Sequence, residues 1–324
     1  MKKFKIKNKI LSPIIHIVAF FTIFSLLLTA VSVFFLPKSN EELWGYGSGG
    51  ILAEPKDSLD YLVIGNSNAS EGFSPLDVYN EYGYTGYTCG EPWQNVCGSY
   101  YMLKRILKYQ TPKVVFLETD VCYQGKTKLQ SIENICETVI KNAYPVVRYH
   151  NNWKTLAKAN LLNVPKYSWR FSTKGHSINA TIKPCSPVYY MDKSDDVESI
   201  DPSLLVYLDL FVALCAENGI ELVLISIPTP FSWTMRRHNA IAEYSYDREI
   251  SFIDFNELAD DIGIDWQKDT RDVTHLNCFG SQKFSKYFGD IINETHSLTD
   301  HRGDTAYAQW DKDYDSYIKT FKTK

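Results

Sequence analysis

The sequence lacks the residue spacings that hold metal ions and the cysteine density of a disulfide scaffold. It contains no CxxC pair and no HxxxH pair, so we expect neither a metal site nor a cofactor. Its seven cysteines are an odd number scattered over 324 residues, whereas disulfide-stapled domains are short and rich in cysteine. Buried single thiols are therefore the expected state, and one or two bridges remain open.

Net positive charge is missing from the chain as a whole once its N-terminal tip is set aside. Residues 1–9 hold five lysines and no acidic residue, and residues 10–324 hold 29 Lys and Arg against 38 Asp and Glu, a net charge of −9. A surface of this sign repels polyanions, so we expect no nucleic-acid partner.

Charge is absent from residues 11–36, which contain no Asp, Glu, Lys or Arg. About 20 apolar helical residues suffice to cross a bilayer. Because lysines precede this run and Glu41 and Glu42 follow it, we expect a cytoplasmic basic tip at 1–10, a single-pass transmembrane signal anchor at 11–36, and an extracytoplasmic remainder. A cleaved signal peptide is the alternative, but the run exceeds a usual signal core and ends in Val-Phe-Phe-Leu without a small-residue cleavage site.

The next segment, 37–58, is rich in Gly, Ser and acidic residues and is interpreted as a linker to the domain at 59–296. Within that domain, helical periodicity alternates with short apolar runs, which is typical of a parallel α/β sheet with helices on both faces. The runs expected to form strands are residues 60–65, 113–118, 221–227 and 251–255.

Two parts of the chain do not follow the strand–helix alternation. Residues 121–200 lack a strong strand pattern and are interpreted as an insertion or lid over the sheet. Residues 297–324 carry Trp310, Tyr314 and Tyr317 at helical spacing, so we expect a C-terminal helical tail that packs on the domain.

Two short motifs carry the candidate chemistry. Gly65-Asn66-Ser67 follows the first expected strand, where the carboxyl edge of a parallel sheet places active-site residues. A serine there needs a general base. His275 supplies one, and Asp272, three residues earlier, fixes the imidazole tautomer and stabilises the imidazolium. The sequence thus predicts a triad of Ser67, His275 and Asp272.

These motifs resemble the two end blocks of the SGNH/GDSL hydrolase superfamily, Gly-Asp-Ser or Gly-Ser-Ser and Asp-x-x-His. That resemblance implies a flavodoxin-like three-layer α/β/α sandwich. The anchor, the run Val-Val-Phe-Leu-Glu ending at Glu118, and His275-Leu276-Asn277 are similar to the membrane-anchored DltD-like and alginate O-acetyltransferase-like subgroup.

The subgroup resemblance implies an activity and partners. The activity is that of an extracytoplasmic serine esterase or O-acyltransferase acting on acyl esters of cell-envelope glycans or polymers through an acyl-enzyme. The partners are an acyl donor, a glycan or polymer acceptor, and a membrane-bound O-acyltransferase.

The resemblance also implies an oxyanion hole, which in the superfamily uses the serine N–H, a glycine N–H and an asparagine side chain. Ser67 and Gly90 match the first two, with Gly86 as a rival, whereas Glu118-Thr119-Asp120 stands where the asparagine is expected. The substrate-binding candidates near this loop and after the fourth strand are Trp93, Gln94, Asn95 and Trp233, of which Gln94 and Asn95 are equally suited to capping a helix.

Two other functions remain open. A noncatalytic partner or polymer-binding subunit of an acylation complex is compatible with the incomplete set of oxyanion donors. A lipase or phospholipase requires an apolar groove, and the acidic composition favours it less.

Overall fold

The computed structural model of the chain describes residues 2–45, 47–125, 127–155, 166–188 and 190–322. The chain divides into two compact units, which are described separately. One comprises Met1–Lys38 and Cys136–Lys166, and the other comprises Ser39–Ile135 and Tyr167–Lys324.

The first unit is built on helix α1, Lys2–Phe35. Its stretch Pro13–Phe35 is 23 residues long with a mean hydropathy of 2.5, which is long and apolar enough to cross a membrane. The unit also contains the second half of helix α5 (Lys128–Ala143), the short helix α6 (Pro145–Arg148) and a 3₁₀ turn at His150–Thr155.

The second unit contains a five-stranded, fully parallel sheet in the order β2-β1-β3-β4-β5. This is the flavodoxin-like order, and it confirms the predicted α/β class. The strands are β1 Tyr61–Gly65, β2 Gly86–Gly90, β3 Val114–Glu118, β4 Glu221–Ser226 and β5 Ser251–Asp254.

Helices cover both faces of this sheet. They are α2 Ser67–Gly72, α3 Pro75–Tyr82, α4 Val96–Ile106, α7 Pro202–Glu217, α8 Met235–Asp247, α9 Ala259–Ile262, α10 Cys278–Thr295 and α11 Ala308–Lys322. Helices α4 and α7 pack on each other along one face, and α3 and α10 pack on each other along the opposite face, where an aromatic core fills the layer.

The four strands expected from apolar runs are present, but β2 carried no such signal. Its sequence, Gly-Tyr-Thr-Cys-Gly, has a glycine at each end and no run of branched residues. Gly86 and Gly90 are required by contacts, because a Cβ at Gly86 would lie 2.0 Å from the Tyr61 ring and one at Gly90 would lie 2.3 Å from the Asn66 carbonyl oxygen. Long-range packing therefore fixes this strand.

The prediction of a linker at 37–58 is wrong for most of that segment. Residues Asn40–Glu42 and Ser48–Ala53 form 3₁₀ turns of the second unit, and Leu43 and Ile51 are fully buried. The glycines that suggested flexibility serve close packing instead, since a Cβ at Gly49 would lie 1.9 Å from the carbonyl oxygen of Asn40.

Of the lid expected at 121–200, residues 126, 156–165 and 189 lie outside the described residues. In the described part, residues near Lys174 cover the free edge of β2: the Lys174 carbonyl accepts the Thr88 N–H at 2.9 Å. The Lys174 ammonium is fully buried between Glu54 and Asp313, at 2.8 and 2.9 Å. This part of the insertion therefore protects an edge strand.

Helix α11 forms the C-terminal tail and packs on α3. Trp310 and Tyr317 are buried, and the Tyr317 hydroxyl donates to Asp77 at 2.7 Å. Burial raises the pKa of Asp77 to about 6 despite this hydrogen bond.

Candidate active site

Ser67 lies at the carboxyl edge of the sheet, in the turn between β1 and α2. Gly65 is the last residue of β1, and the position requires glycine because a Cβ there would lie 2.7 Å from the Cβ atoms of both Ala69 and Glu118. Asn66 then caps α2, its Oδ1 accepting the Asn68 N–H at 2.8 Å. Ser67 is the first residue of the helix, so its own N–H has no helical acceptor.

The loop between Thr270 and Asn277 holds Asp272 and His275 in a compact turn. Thr270 and Leu276 form an antiparallel bridge across its base, and the Arg271 N–H donates to the His275 carbonyl at 3.1 Å. Asn277 ends the loop by capping α10, accepting the Phe279 and Gly280 N–H groups. The loop is thus fixed at both ends.

The structure brings the three predicted catalytic residues together. His275 Nε2 lies 2.8 Å from Ser67 Oγ, and His275 Nδ1 lies 3.0 Å from both carboxylate oxygens of Asp272. A proton on Nδ1, donated to the carboxylate, leaves Nε2 as the acceptor of the Ser67 hydroxyl. This is the geometry that activates a serine for attack on an acyl carbon.

Asp272 is held in its ionised form. Partial burial opposes the charge, but the Thr274 and His275 N–H groups and the imidazole outweigh it and lower the pKa of Asp272 to about 2. The two N–H groups lie 2.8 and 2.9 Å from Oδ1. The carboxylate therefore remains charged at neutral pH.

Arg271 links this loop to helix α2. Its guanidinium forms a bidentate ion pair with Glu71, with Nη2 2.7 Å from Oε1, and its Nη1 lies 3.4 Å from Asp272. Burial raises the pKa of Glu71, although His275 and Arg271 oppose this shift. The Arg271–Glu71 pair, which sequence reasoning missed, thus connects the serine-bearing helix to the His–Asp loop.

A cavity of about 690 Å³ opens beside the three residues. Trp93 lies in its wall, is 84% exposed, and has a left-handed backbone with φ of 59°. The Gln94 N–H donates to the Glu91 carbonyl at 3.1 Å, closing a turn with Pro92 and Trp93 at its centre. A residue with positive φ at the third position is typical of a type II turn, which favours glycine. Trp93 adopts this costly conformation without burying its side chain.

Arg237 lies on the other side of the cavity and is held by two carboxylates. Its Nη1 lies 3.1 Å from Asp120 and its Nε lies 2.9 Å from Glu198. Asp120 also accepts the Asn66 side-chain N–H at 2.8 Å, and burial raises its pKa against the opposing charge of Arg237. Because Arg237 and Arg271 each contact two carboxylates, neither arginine adds an uncompensated positive charge to the described cavity wall.

Gly90 does not fit the oxyanion role that the resemblance implies. Its N–H donates to Ser48 Oγ at 3.0 Å, and the Ser48 hydroxyl donates back to the Gly90 carbonyl at 2.9 Å. Ser48 is fully buried, so a substrate does not reach this N–H. Gly86, the rival, starts β2 beside Tyr61, at the end of the sheet away from Ser67.

Asn68 is a cavity residue that sequence reasoning missed. Only 6% of it is exposed, and it lines the same cavity as Ser67 and His275. Its backbone N–H is used by Asn66, but its side-chain amide makes no hydrogen bond within the described residues. Because the residue lines the cavity, the amide is available there to water or to a ligand.

The other predicted substrate-binding residues have structural roles. Asn95 caps α4, accepting the Gly98 N–H at 2.9 Å, and Gln94 donates to Ser99 at 2.9 Å. Trp233 is buried, and its indole N–H donates to Asp254 at 2.8 Å. Among the described residues that line the cavity, Trp93 is the one drawn from these four candidates.

One group of potential metal ligands occurs among the described residues: His238, Asp254 and Glu257. The Asp254 oxygens are already engaged, since Oδ2 contacts His238 Nδ1 and Trp233 Nε1 at 2.8 Å each, and Oδ1 accepts the Asn256 N–H at 2.9 Å. This group is therefore explained as an internal hydrogen-bond network.

No family model matches this chain, and no curated protein matches it. Solved structures are similar at low identity. A GDSL-like lipase from Bacteroides thetaiotaomicron is 13% identical over 73% of this chain and 88% of its own, with a TM-score of 0.36. TesA is 10% identical over 72% and 98%, with a TM-score of 0.38. An acetyl xylan esterase, AlAXEase, is 14% identical over 73% and 100%, with a TM-score of 0.27.

Proposed function

We propose that this protein is a serine esterase or O-acyltransferase that uses Ser67 as nucleophile, His275 as general base and acid, and Asp272 as the group that orients the imidazole. The observation that carries the proposal is the continuous contact from Asp272 through His275 to Ser67 Oγ, at 3.0 and 2.8 Å. His275 removes the hydroxyl proton as Oγ attacks the ester carbonyl. It then protonates the departing alcohol, which leaves an acyl-enzyme.

The acyl-enzyme is resolved by water or by a second hydroxyl, and we propose that transfer to a glycan hydroxyl is favoured. Two features support an uncharged acceptor. The cavity is wide enough for a sugar unit, and the two arginines among its described lining residues are already paired with carboxylates. The resemblance to envelope-modifying acyltransferases supports an acceptor in the cell envelope.

Trp93 is proposed to stack on the acceptor. An exposed indole provides a flat apolar surface, and the left-handed backbone of Trp93 costs about 1–2 kcal/mol that its exposed side chain does not recover. Strain retained beside a nucleophile is a recurrent sign of function.

Replacing Trp93 with glycine should separate stability from function. Trp93→Gly relieves the strain and is expected to raise stability by about 1 kcal/mol, while transfer of acetyl from p-nitrophenyl acetate to an oligosaccharide falls up to about tenfold. Hydrolysis without acceptor should change little. Thermal melts and product analysis of the full-length chain in detergent check both effects.

The control for this variant is Glu249→Gly, which removes the same kind of strain at an exposed position with φ of 55°. It should gain similar stability and keep its transfer rate. Equal rates of acetyl transfer by wild type and Trp93→Gly would show that Trp93 does not bind the acceptor. Product that is always the free acid would favour hydrolysis.

For the oxyanion, we propose donors that differ from those of the superfamily. The Ser67 N–H and the Asn68 side-chain amide both lie at the start of α2 and line the cavity. An oxyanion requires preorganised donors. The Asn68 side-chain amide makes no hydrogen bond within the described residues, so both of its N–H groups are available to a substrate. Asn68 thus takes the role that the missing asparagine and Gly90 do not fill.

We further propose that α1 anchors the protein with its N-terminus in the cytoplasm and the second unit outside. The lysines at the start of the sequence support this orientation. A C-terminal alkaline phosphatase fusion, active only outside the cytoplasm, tests it, and an inactive fusion of normal abundance would reverse it.

The second candidate function is a noncatalytic subunit of an acylation complex. It is favoured by one observation, the use of the Gly90 N–H by Ser48. A folded full-length chain that releases no p-nitrophenol from p-nitrophenyl acetate above the buffer rate would support this candidate over the esterase.

A further inference from the structure

Helix α5 has an exposed apolar face that the esterase function does not explain. Leu129, Ile132 and Ile140 are 66%, 40% and 46% exposed, and Cys136 is exposed between them. Their spacing of three, four and four residues places them on one side of the helix, which we name the α5 apolar face (Leu129, Ile132, Cys136 and Ile140). Contiguous apolar side chains of this kind usually mark a contact surface.

The opposite side of α5 is occupied. Ser131 and Ile135 are buried, and Gln130 and Asn134 line the Ser67 cavity. Helix α5 therefore packs on the protein through this side, and its apolar face is left exposed.

The chain that follows α5 is bonded to the candidate membrane helix. The Tyr144 hydroxyl lies 2.7 Å from Ser25 Oγ, the Val146 N–H donates to Ser32 Oγ at 3.2 Å, and the Asn152 amide donates to the Phe35 carbonyl at 3.2 Å. These partners lie in α1, whose apolar side chains are themselves widely exposed. The end of α5 is thus tied to a helix suited to lipid.

Further residues on this segment match a membrane interface. Val147 is 37% exposed and Trp153 is 61% exposed, and Arg148 and Lys154 lie beside them. Tryptophan and basic residues next to an amphipathic helix are typical of segments that lie at the boundary between headgroups and acyl chains.

We propose that the α5 apolar face is seated in the lipid bilayer, at the level of the headgroup–acyl boundary. The proposal requires α1 to be inserted in the membrane and does not depend on the esterase chemistry.

Cys136 provides a probe that needs no new cysteine. It is the exposed thiol among the seven, and the other six are buried, so bimane is expected to label it selectively in the folded full-length chain. After reconstitution into phosphatidylethanolamine–phosphatidylglycerol vesicles, the bimane should be quenched strongly by lipids carrying a doxyl group near the headgroup end of the acyl chain and weakly by aqueous iodide.

The matched control is Glu137→Cys in a Cys136→Ser background, since the next residue points about 100° away around the helix. Its bimane should be quenched more by iodide and less by doxyl lipid. If Cys136 bimane is quenched by iodide as strongly as this control, or by neither quencher because protein covers it, the proposal is overturned. Extraction of the reconstituted chain by alkaline carbonate would also overturn it, through its premise on α1.

Discussion

Ser67→Ala and His275→Ala are each expected to lower kcat for p-nitrophenyl acetate by about 10⁴-fold or more, to a rate near that of buffer. The first variant removes the nucleophile, and the second removes the only base within 3 Å of it among the described contacts. Because nucleophile and base act as one unit, the double variant should be no slower than either single one. The measurement is p-nitrophenol release by the full-length chain in detergent.

Two matched variants test whether these losses are specific. Ser70→Ala removes a buried hydroxyl one turn further along α2, with contacts to Asn66 and Ser67 carbonyls near 3.5 Å. His238→Ala removes the histidine of a second His–Asp pair, with Asp254. Both should retain turnover within a few-fold. Equal rates in all four variants, each folded by circular dichroism, would assign the turnover to another group.

Asn68→Leu is expected to lower kcat by about 10²–10³-fold, the usual cost of losing one oxyanion donor. Leucine has nearly the same volume but no N–H, so KM should change little, because the donor acts on charge that develops only in the transition state. Stability should change little, since the substitution removes no hydrogen bond of the Asn68 amide within the described part of the chain. The kcat–KM split and thermal melts measure these effects.

Asn134→Leu is the control for this substitution. Asn134 also lines the cavity, but it lies on α5 instead of the first turn of α2. A kcat of Asn68→Leu within threefold of wild type, in a chain whose Ser67→Ala variant is inactive, would reject the Asn68 donor and retain the triad. An equal loss in both leucine variants would point to a general effect of cavity polarity.

The sheet was predictable where local sequence decides the strand. The runs ending at Gly65 and Glu118 are apolar throughout and buried on both faces, which is the pattern of a central parallel strand. Strand β2 was not predictable. Its glycines are required by close contacts with Tyr61 and Asn66, which lie more than 20 positions away in the sequence. The buried 3₁₀ turns at 40–53 were taken for a linker for the same reason.

The candidate site shows the same division. Ser67, Asp272 and His275 were predicted because each sits in a short motif whose local geometry is nearly fixed, a strand end and a four-residue turn. The contact between Ser48 and Gly90 was not predictable, because it joins two segments 42 positions apart. Asn68 follows the Gly-x-Ser motif without any sequence signal of its own, and only its place in the cavity wall distinguishes it.

The most direct test of the esterase chemistry is to trap the acyl-enzyme. The full-length chain is mixed with excess p-nitrophenyl acetate, quenched in acid within the first turnovers, digested and sequenced by mass spectrometry. We predict an acetyl group on Ser67 that appears with the burst of p-nitrophenol and is absent from Ser67→Ala and His275→Ala. Steady release of p-nitrophenol with acetyl on another residue, or with none on Ser67 under any quench time, would contradict the assignment of Ser67 as the nucleophile.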